Sequence, residues 1–468
     1  MSDAENHELK GLLGERSQPP SKVAVEEIKY GAVIVGTRPA GAAALAQDAG
    51  ATPLAQDAGA AARPPAVPKA FAAFQYRNYQ LWFSGQLVSL AGTWMQSIAQ
   101  GWLVYQISHS EFALGLVAFA AAIPTLIITP FGGVVVDRVP KRTLLVITQT
   151  VMMLLAFILA VLVFTNVVQV WHVVVLAVVL GVVNAFDAPA RQSFIVEMVG
   201  REHLVNGIAM NSIMFNGARV VGPALGGALL AVVGAGWCFL FNGVSFLAVI
   251  AGLMAMRVPK FVPPERRNSS WQLLKEGLHY TSLHKELAAI IVLASVWGIF
   301  GGSYGSLLPA FVDQVYHAGA DGYGLLNAAI GLGAMGGGFI IAQFVDRARR
   351  GTWLFFANQS FSILLLLFAF NQNFPLALAA GVGLGLSFMI QNTNMNSLLQ
   401  TGVEDAMRGR VLSLYTLAFF GFSPIGSLLA GTLAQEWSLS GTVALFAAIT
   451  LVGSIIIFVR NPNLRKLA

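Results

Sequence analysis

The sequence has one cysteine, Cys238, and little charge, since Asp, Glu, Lys and Arg together make up 11% of its 468 residues. A single cysteine excludes a disulfide within the chain and a cysteine-based metal cluster. An HExxH helix and a GxxxxGK[ST] phosphate-binding loop are also missing from the sequence, which leaves no support for a metalloprotease or an ATP-driven pump. We therefore predict no enzymatic activity, no metal site and no cofactor.

Long apolar stretches are what the chain has in excess. Hydrophobic residues make up 56% of it and the mean hydropathy is +0.69, whereas soluble domains contain about 45–50% apolar residues. Twelve stretches are long enough to cross a hydrocarbon core of about 30 Å as helices, which satisfy their own backbone in lipid. Their limits are 80–107, 114–136, 143–165, 170–192, 204–233, 236–256, 287–312, 322–345, 352–371, 374–399, 410–435 and 440–459. We predict an all-α membrane protein.

The first 70 residues differ from the rest of the chain. They are rich in Ala, Gly, Pro and charge, and they repeat the sequence LAQDAGA at 45–51 and at 54–60. No apolar run among them is long enough to be a signal peptide or a membrane span. We predict that residues 1–70 form a disordered tail.

The cations indicate the orientation. Of the 28 Lys and Arg residues, six precede Pro65 and one, Arg219, lies within a span. The other 21 all fall on one side of the predicted membrane when both termini are placed on that side. Cytoplasmic loops are enriched in Lys and Arg, so this side is predicted to be the cytoplasm. The cations lie at the ends of apolar runs rather than in one patch, so we predict no nucleic-acid partner.

The loop at 258–285 divides the twelve spans into six and six. We predict an N-terminal six-helix bundle at 71–257, a cytoplasmic linker with an amphipathic helix at 258–285, and a C-terminal six-helix bundle at 286–468. Asp137 follows Gly115 by 22 residues, and Asp346 follows Gly324 by 22 residues, so the two bundles are predicted to be pseudo-symmetric. Many secondary transporters are built in this way, with the substrate site between the repeats.

The turn after the second span resembles the signature of the major facilitator superfamily. It reads G-x-x-x-D-R-x-x-K-R, and its specified positions are Gly133, Asp137, Arg138, Lys141 and Arg142. The resemblance implies the major facilitator fold. It also implies a conformational latch, in which Asp137 holds the other half near the eleventh helix. Arg408 and Arg410 are the candidate partners in that latch.

Residues 184–227 resemble the branch of this superfamily that contains the enterobactin exporter and related bacterial efflux proteins. The segment ends in GPALGG, which is similar to the fifth-helix motif of drug/proton antiporters, although Ala218 stands where that motif has glycine. The residues of this motif are Gly222, Pro223, Gly226 and Gly227. The resemblance implies a secondary active transporter that exports siderophore-like or amphiphilic drug-like molecules by alternating access. It further implies antiport coupled to H⁺ and a monomer in a bacterial inner membrane.

Two charged residues lie well inside predicted spans, Asp187 in the fourth and Arg219 in the fifth. An arginine at such depth costs at least about 2.5–3.5 kcal/mol on insertion scales, so it should face a cavity or a partner. We hypothesise that Arg219 lines a central cavity, binds an anionic or polar group of the substrate, and is balanced by Asp187. A purely structural pair that orders the fourth and fifth helices is the alternative.

Uncharged polar residues within the spans are further candidates for substrate contact. The candidates are Gln96, Asn216, Tyr304, Gln391 and Asn394. Each is equally consistent with a hydrogen bond between helices. Two other functions stay open at this point. One is uptake of a metabolite, and the other is a non-transporting receptor or membrane enzyme, which would need a catalytic constellation at one membrane face.

Overall fold

A computed structural model of the chain describes residues 69–258, 270–344 and 350–467. Within these ranges the chain is almost entirely helical and contains no strand. The predicted tail as far as Pro68 lies outside the described residues, as do residues 259–269 of the predicted linker and Asp346 of the second repeat. The all-α membrane fold predicted from the sequence is confirmed.

We number the helices α1 to α13 in chain order, and all of them except α7 have more than 20 residues. The six helices of the first half are α1 Arg77–Ser108, α2 Glu111–Val136, α3 Lys141–Phe164, α4 Val170–Val199, α5 Leu204–Val233 and α6 Ala235–Ala255. Helix α7, Ser270–Leu283, falls within the predicted linker. The second half consists of α8 Lys285–Val315, α9 Gly319–Phe344, α10 Arg350–Phe370, α11 Phe374–Gly402, α12 Asp405–Glu436 and α13 Leu439–Arg460.

Among the described residues, ten helices are long and apolar enough to cross a membrane, and α5 adds a shorter apolar stretch, Leu204–Phe215. Helix α1 is long enough at 32 residues but is not among the ten, because Gln, Ser and Thr recur along it. Helix α4 continues to Val199, beyond the predicted limit at 192, because Phe194, Ile195 and Met198 are buried in the first half. A helix end that packs on protein extends past the length that the bilayer alone requires.

The two halves repeat the same packing. In the first half α2 packs on α4 and α3 packs on α6, and in the second half α9 packs on α11 and α10 packs on α13. The close contacts correspond as well. Gly181 of α4 lies against the carbonyl of Ala121 in α2, and Gly385 of α11 lies against the carbonyl of Ile330 in α9. A side chain at either glycine would push the paired helices apart, since small residues let membrane helices approach closely.

The bundle has two ends, which the loops define. The motif end carries the turn at 137–140, and the far end carries the turns that follow α1 and α8. His109 (φ 46°) and His317 (φ 50°) adopt the left-handed backbone conformation in those two far-end turns. Both are non-glycine residues in a conformation that such residues rarely adopt. The same unusual turn therefore recurs at the same place in the two halves.

Two helices of the second half contain π-helical turns that pack on each other. They lie at Trp297–Gly301 in α8 and at Leu417–Gly421 in α12. The ring of Trp297 stacks on that of Phe419, with centroids 4.3 Å apart and planes inclined by 13°. Single π-helical turns of this kind are often found at functional sites.

Candidate substrate site

A cavity of about 190 Å³, which we call the polar cavity, lies inside the first half between α1, α3, α4, α5 and α6. Its lining residues are Gln86, Ser89, Leu90, Thr93, Trp94, Ser97, Gln149, Met152, Asn184, Arg191, Phe215 and Phe246. The polar residues of α1 face this space, which explains why α1 is less apolar than its neighbours. A few polar groups among aromatic and aliphatic side chains are typical of small-molecule sites.

A second, smaller cavity of about 70 Å³ adjoins the first, and we call it the apolar cavity. The residues that line both cavities are Thr93, Met152, Asn184 and Phe246. Much of the rest of its wall is aliphatic and comes from α3 and α4, namely Leu155, Leu159, Leu176, Ala177 and Leu180. The two cavities therefore form one track that becomes less polar with distance from Arg191.

A buried carboxylate organises the polar cavity. Asp187 of α4 is fully buried, and its Oδ1 accepts hydrogen bonds from Thr148 Oγ1 at 2.7 Å and Gln149 Nε2 at 2.9 Å. Its Oδ2 lies 2.7 Å from Arg191 Nε, one helical turn further along α4. This contact is an ion pair rather than a linear hydrogen bond, because no donor meets hydrogen-bond geometry at Oδ2. A buried charge needs such a partner, since an isolated one would be very costly.

The ion pair presents its positive member to the cavity. The Arg191 side chain is a quarter exposed, whereas that of Asp187 has no exposed surface. The described residues that line the two cavities include no charged group other than Arg191. A ligand in the polar cavity therefore meets the guanidinium first, with the carboxylate behind it.

The ion pair with Arg191 was not predicted from the sequence, which places Arg191 with the cations at the cytoplasmic side. The side chain of Arg219 in α5 lies outside the described residues, so the pairing of Asp187 with Arg219 stays a prediction. The available sequence signal was the four-residue spacing of Asp187 and Arg191, which puts them on one helix face. Nothing in the sequence around Gln86 and Gln149 indicates that these residues line a cavity.

The cations of the signature turn bind elsewhere in the first half. Lys141 Nζ lies 2.8 Å from Glu197 Oε1 of α4. Arg142 donates from Nε and Nη2, each at 2.7 Å, to the carbonyls of Leu253 and Met254 at the end of α6. A cation at a helix C-terminus satisfies its last carbonyls and interacts favourably with the helix dipole. These two residues thus fix the start of α3 to the ends of α4 and α6.

The other residues of the signature turn lie at the end of α2. Asp137 is half-buried and Arg138 is exposed in the turn. The preceding residue, Gly132, packs so closely on α4 that an added Cβ would lie 2.6 Å from the carbonyl oxygen of Ala185. The surroundings of Gly133 lie outside the described residues.

The two predicted partners of the latch also have acidic neighbours. Arg408 pairs with Asp405 in the first turn of α12, and its Nε donates to the carbonyl of Gln400 at 3.0 Å. Arg410 Nη1 lies 3.0 Å from Glu276 Oε2 of α7. The structure therefore joins the start of α12 to the helix of the linker at the motif end.

The motif of α5 packs on two different neighbours. An added Cβ at Gly222 would lie 3.1 Å from the carbonyl oxygen of Ala91, and one at Gly226 would lie 2.7 Å from Met95 Cα, both in α1. Gly227 contacts Gly324 of α9, in the other half, and Pro223 is buried. The motif therefore brings α5 close to the wall of the polar cavity on one side and to the second half on the other.

The halves meet at the far end through two equivalent glycine contacts, which we call the far-end seal. Gly115 of α2 packs on Gly431 of α12, and Gly227 of α5 packs on Gly324 of α9. The internal repeat relates Gly115 to Gly324, so the two crossings are counterparts. An added Cβ at Gly115 would lie 3.2 Å from Gly431 Cα, which is tighter than an ordinary carbon–carbon contact.

Polar groups close the seal at the same level. Ser110 Oγ donates to Gln435 Oε1 across the two halves at 2.8 Å. Gln314 Nε2 donates to Glu111 Oε1 at 2.5 Å and to the Tyr105 hydroxyl at 2.7 Å, again across the halves. Glu111 is 5% exposed, so this carboxylate is enclosed where the halves touch.

The predicted polar contacts are distributed over both halves. Gln96 lines the apolar cavity and accepts a hydrogen bond from Asn242 Nδ2 at 2.6 Å. Tyr304 packs edge-on against Phe361 in the second half. Gln391 and Asn394 of α11 are fully buried. The side chain of Asn216 lies outside the described residues.

Gln391 occupies the position in α11 that Asp187 occupies in α4. Each lies six residues after the glycine, Gly385 or Gly181, that packs on the paired helix. Asp187 has a cation and two hydrogen-bond donors, whereas both polar atoms of the Gln391 amide lack a partner within the part of the chain that the structure describes. The repeat therefore carries charge at this position in the first half only.

No group of three or more His, Cys, Asp or Glu side chains that could hold a metal ion occurs within the described parts of the chain. The chemistry available at the site is thus hydrogen bonding, one ion pair and apolar contact.

The twelve long helices, the repeated packing and the lined cavity define a transporter of the major facilitator type. Comparison of the sequence with known families agrees. The family described as transmembrane secretion effector matches residues 68–467, and the chain belongs to this family of major facilitator transporters. It is a small-molecule transporter embedded in a membrane, and it is not an enzyme.

Known proteins similar to the chain include two bacterial transporters and several solved structures. The staphyloferrin A transporter of Staphylococcus aureus is 25% identical over 82% of this chain and 96% of its own length. The multidrug efflux pump Tap of Mycolicibacterium fortuitum is 27% identical over 81% of this chain and 95% of its own. The nucleoside transporter NupG has the same fold, with a TM-score of 0.64 and 13% identity over 83% of this chain and 98% of its own.

A bacterial homologue of the lysosomal transporter Spinster, solved in an inward-facing and occupied conformation, also matches with a TM-score of 0.64. It is 14% identical over 83% of this chain and 97% of its own. At such low identity these two structures support the fold and nothing finer.

Proposed function

We propose that the protein exports small amphiphilic molecules across a bacterial inner membrane, by alternating access and in exchange for protons. The observation that carries this proposal is the far-end seal beside a lined cavity. Two halves that close on each other through glycine contacts can separate there, and the stacked rings of Trp102 and Tyr323 must part in the same step. The direction is supported by the relatives, since Tap is described as an efflux pump.

We propose that the motif end is cytoplasmic, with both termini on that side. The cations at the ends of the spans support this orientation, because the 21 that lie after Pro65, Arg219 excepted, all fall on the side of the signature turn in the sequence. With the far end closed, the structure then corresponds to a state that is closed towards the outside. Asp137, Arg408 and Arg410 are proposed to engage across the halves in the opposite, outward-facing state.

The experiment is transport into everted membrane vesicles that carry the full chain. An exporter accumulates a fluorescent amphiphilic drug inside everted vesicles when a proton gradient is imposed, and an uncoupler abolishes the accumulation. Vesicles without the protein are the control. Accumulation in right-side-out vesicles instead would indicate uptake, and no transport in either orientation would contradict the proposal.

A further inference from the structure

The guanidinium of Arg191 has donors that the protein does not use. Its one interaction among the described residues is the ion pair of Nε with Asp187 Oδ2. The two terminal nitrogens of the guanidinium therefore have no protein acceptor in the described part of the chain, while the side chain borders the polar cavity. A guanidinium edge of this kind fits the paired oxygens of a carboxylate.

Two buried amides supply further unused groups in the same cavity. Gln86 is 1% exposed and Gln149 is 2% exposed, and neither Gln86 Nε2 nor Gln149 Oε1 has a hydrogen-bond partner among the described residues. The orientation of the Gln149 amide is fixed because its Nε2 donates to Asp187, which leaves the oxygen as the unused atom. Buried polar atoms normally have a partner, so one unused donor and one unused acceptor beside a cation call for a ligand.

The donor set selects the chemistry of that ligand. The Arg191 guanidinium and Gln86 Nε2 can donate to anionic oxygens, whereas Gln149 Oε1 can accept from a hydroxyl. A carboxylate with a hydroxyl on the neighbouring carbon carries both kinds of group. The polar cavity, at about 190 Å³, is smaller than the roughly 300–1,000 Å³ of sites for drug-sized ligands. It therefore takes a head group rather than a whole molecule.

The adjoining apolar cavity accounts for the rest of the ligand. Trp94 and Phe215 line the polar cavity, and Leu155, Leu159 and Leu176 line the apolar one. We propose that the first half binds an anionic amphiphile, with a hydroxycarboxylate head at Arg191, Gln86 and Gln149 and an apolar chain along the leucines. This assignment rests on the proposed function as an exporter of amphiphiles, and it names the substrate class and the half that recognises it.

The test is calorimetric titration of the full chain in lipid nanodiscs, with empty nanodiscs subtracted, using four probes of equal chain length. The probes are 2-hydroxyoctanoate, octanoate, octanol and octylammonium. Octanoate is expected to bind roughly 10-fold to 100-fold more tightly than octanol, because hydrogen bonds to a charged group are the stronger ones. The added hydroxyl is expected to tighten binding about 3-fold to 10-fold. Equal or tighter binding of octylammonium would overturn the assignment.

Variants separate recognition from folding. Arg191→Gln is expected to weaken octanoate binding roughly 10-fold or more, whereas Arg201→Gln, the same change at an exposed residue, should not alter it. Because Arg191→Gln also leaves Asp187 without its cation, Gln86→Met is the second variant. It replaces an unpartnered buried amide by an apolar side chain of similar size, so it should raise the Tm while weakening octanoate binding about 10-fold.

Unchanged octanoate affinity in both Arg191→Gln and Gln86→Met would show that the cavity does not recognise an anion, and an unchanged affinity in Gln86→Met alone would remove Gln86 from the site. The outcomes are independent of the vesicle experiment. Anion-selective binding without transport would contradict export and leave the site intact. Transport with no preference among the four probes would support export and contradict the anion site.

Discussion

The far-end seal offers the sharpest test of alternating access in this protein, through Gly324→Ala. A methyl group at residue 324 would lie 2.7 Å from the carbonyl carbon of Gly227, and closer still to its Cα. Carbon atoms pack at about 3.5–4.0 Å, so α5 and α9 must separate by roughly 1 Å at their crossing. Overpacking of this kind costs about 1–3 kcal/mol.

That cost falls only on the state in which the far end is closed. The equilibrium between the two states should therefore shift about 5-fold to 150-fold towards a far end that is open. Gly336→Ala is the matched control on the same helix, because a Cβ there meets nothing within 4 Å. Both changes replace a helical glycine by alanine, so they share the same gain of about 1 kcal/mol in helix propensity.

Closure can be measured by joining two introduced cysteines with a short bifunctional thiol reagent. Ser110 Oγ and Gln435 Oε1 are hydrogen-bonded across the halves at 2.8 Å, so the pair Ser110→Cys and Gln435→Cys reports on the other crossing of the seal. The background needs one change, Cys238→Ala, since this is the single cysteine in the chain. Cross-linking should be slower in Gly324→Ala than in Gly336→Ala. Equal rates in the two variants would refute the reasoning about the seal.

Three further predictions concern the motif end. Arg142→Gln removes two hydrogen bonds to the end of α6 and should lower the free energy of unfolding by about 1–3 kcal/mol. The Tm should therefore be lower than that of Arg138→Gln, the control, whose side chain is exposed. Glu276→Gln breaks a largely exposed ion pair with α12 and should change the stability by less than about 1 kcal/mol in the same Tm measurement. Asp137→Asn should lower the rate of drug accumulation in vesicles at equal protein amount and unchanged Tm, whereas Glu202→Gln should not.

For each of these three predictions, one result would contradict the reasoning. A Tm of Arg142→Gln equal to that of Arg138→Gln would mean that water replaces the guanidinium at the end of α6. A large loss of stability in Glu276→Gln would show that α7 holds α12 more firmly than its exposure suggests. Transport at the normal rate in Asp137→Asn would remove the latch from the mechanism.

The membrane helices were the easiest part to predict because a single physical requirement sets them. A chain in lipid must satisfy its backbone within each span, so each helix shows as an apolar run of about 20 residues. The predicted limits of α5, 204–233, coincide with the structure, and those of α2 and α3 differ by a few residues at most. Helix α4 was predicted too short because its last turns pack on protein, which the length of the apolar run does not reveal.

The candidate site was predicted less well than the fold. Asp187 was selected because a charge within an apolar run is visible in the sequence, but its ion pair with Arg191 was not predicted. Arg191 lies near the end of a span and resembles the many cations that flank spans. Gln86 and Gln149 resemble any other amide in a membrane helix. Which of them border one cavity depends on the rotation of α1, α3 and α4 about their axes.

Sequence alone therefore determined that the chain is a polytopic helical membrane protein with an internal repeat, because bilayer thickness and backbone hydrogen bonding act on each span separately. Tertiary structure decided which polar groups converge and where the two halves touch. Those features depend on side chains that are far apart in the sequence. Arg191 faces a cavity, and Gly115 and Gly227 meet Gly431 and Gly324, only because helices from distant parts of the chain pack within a few ångströms of one another.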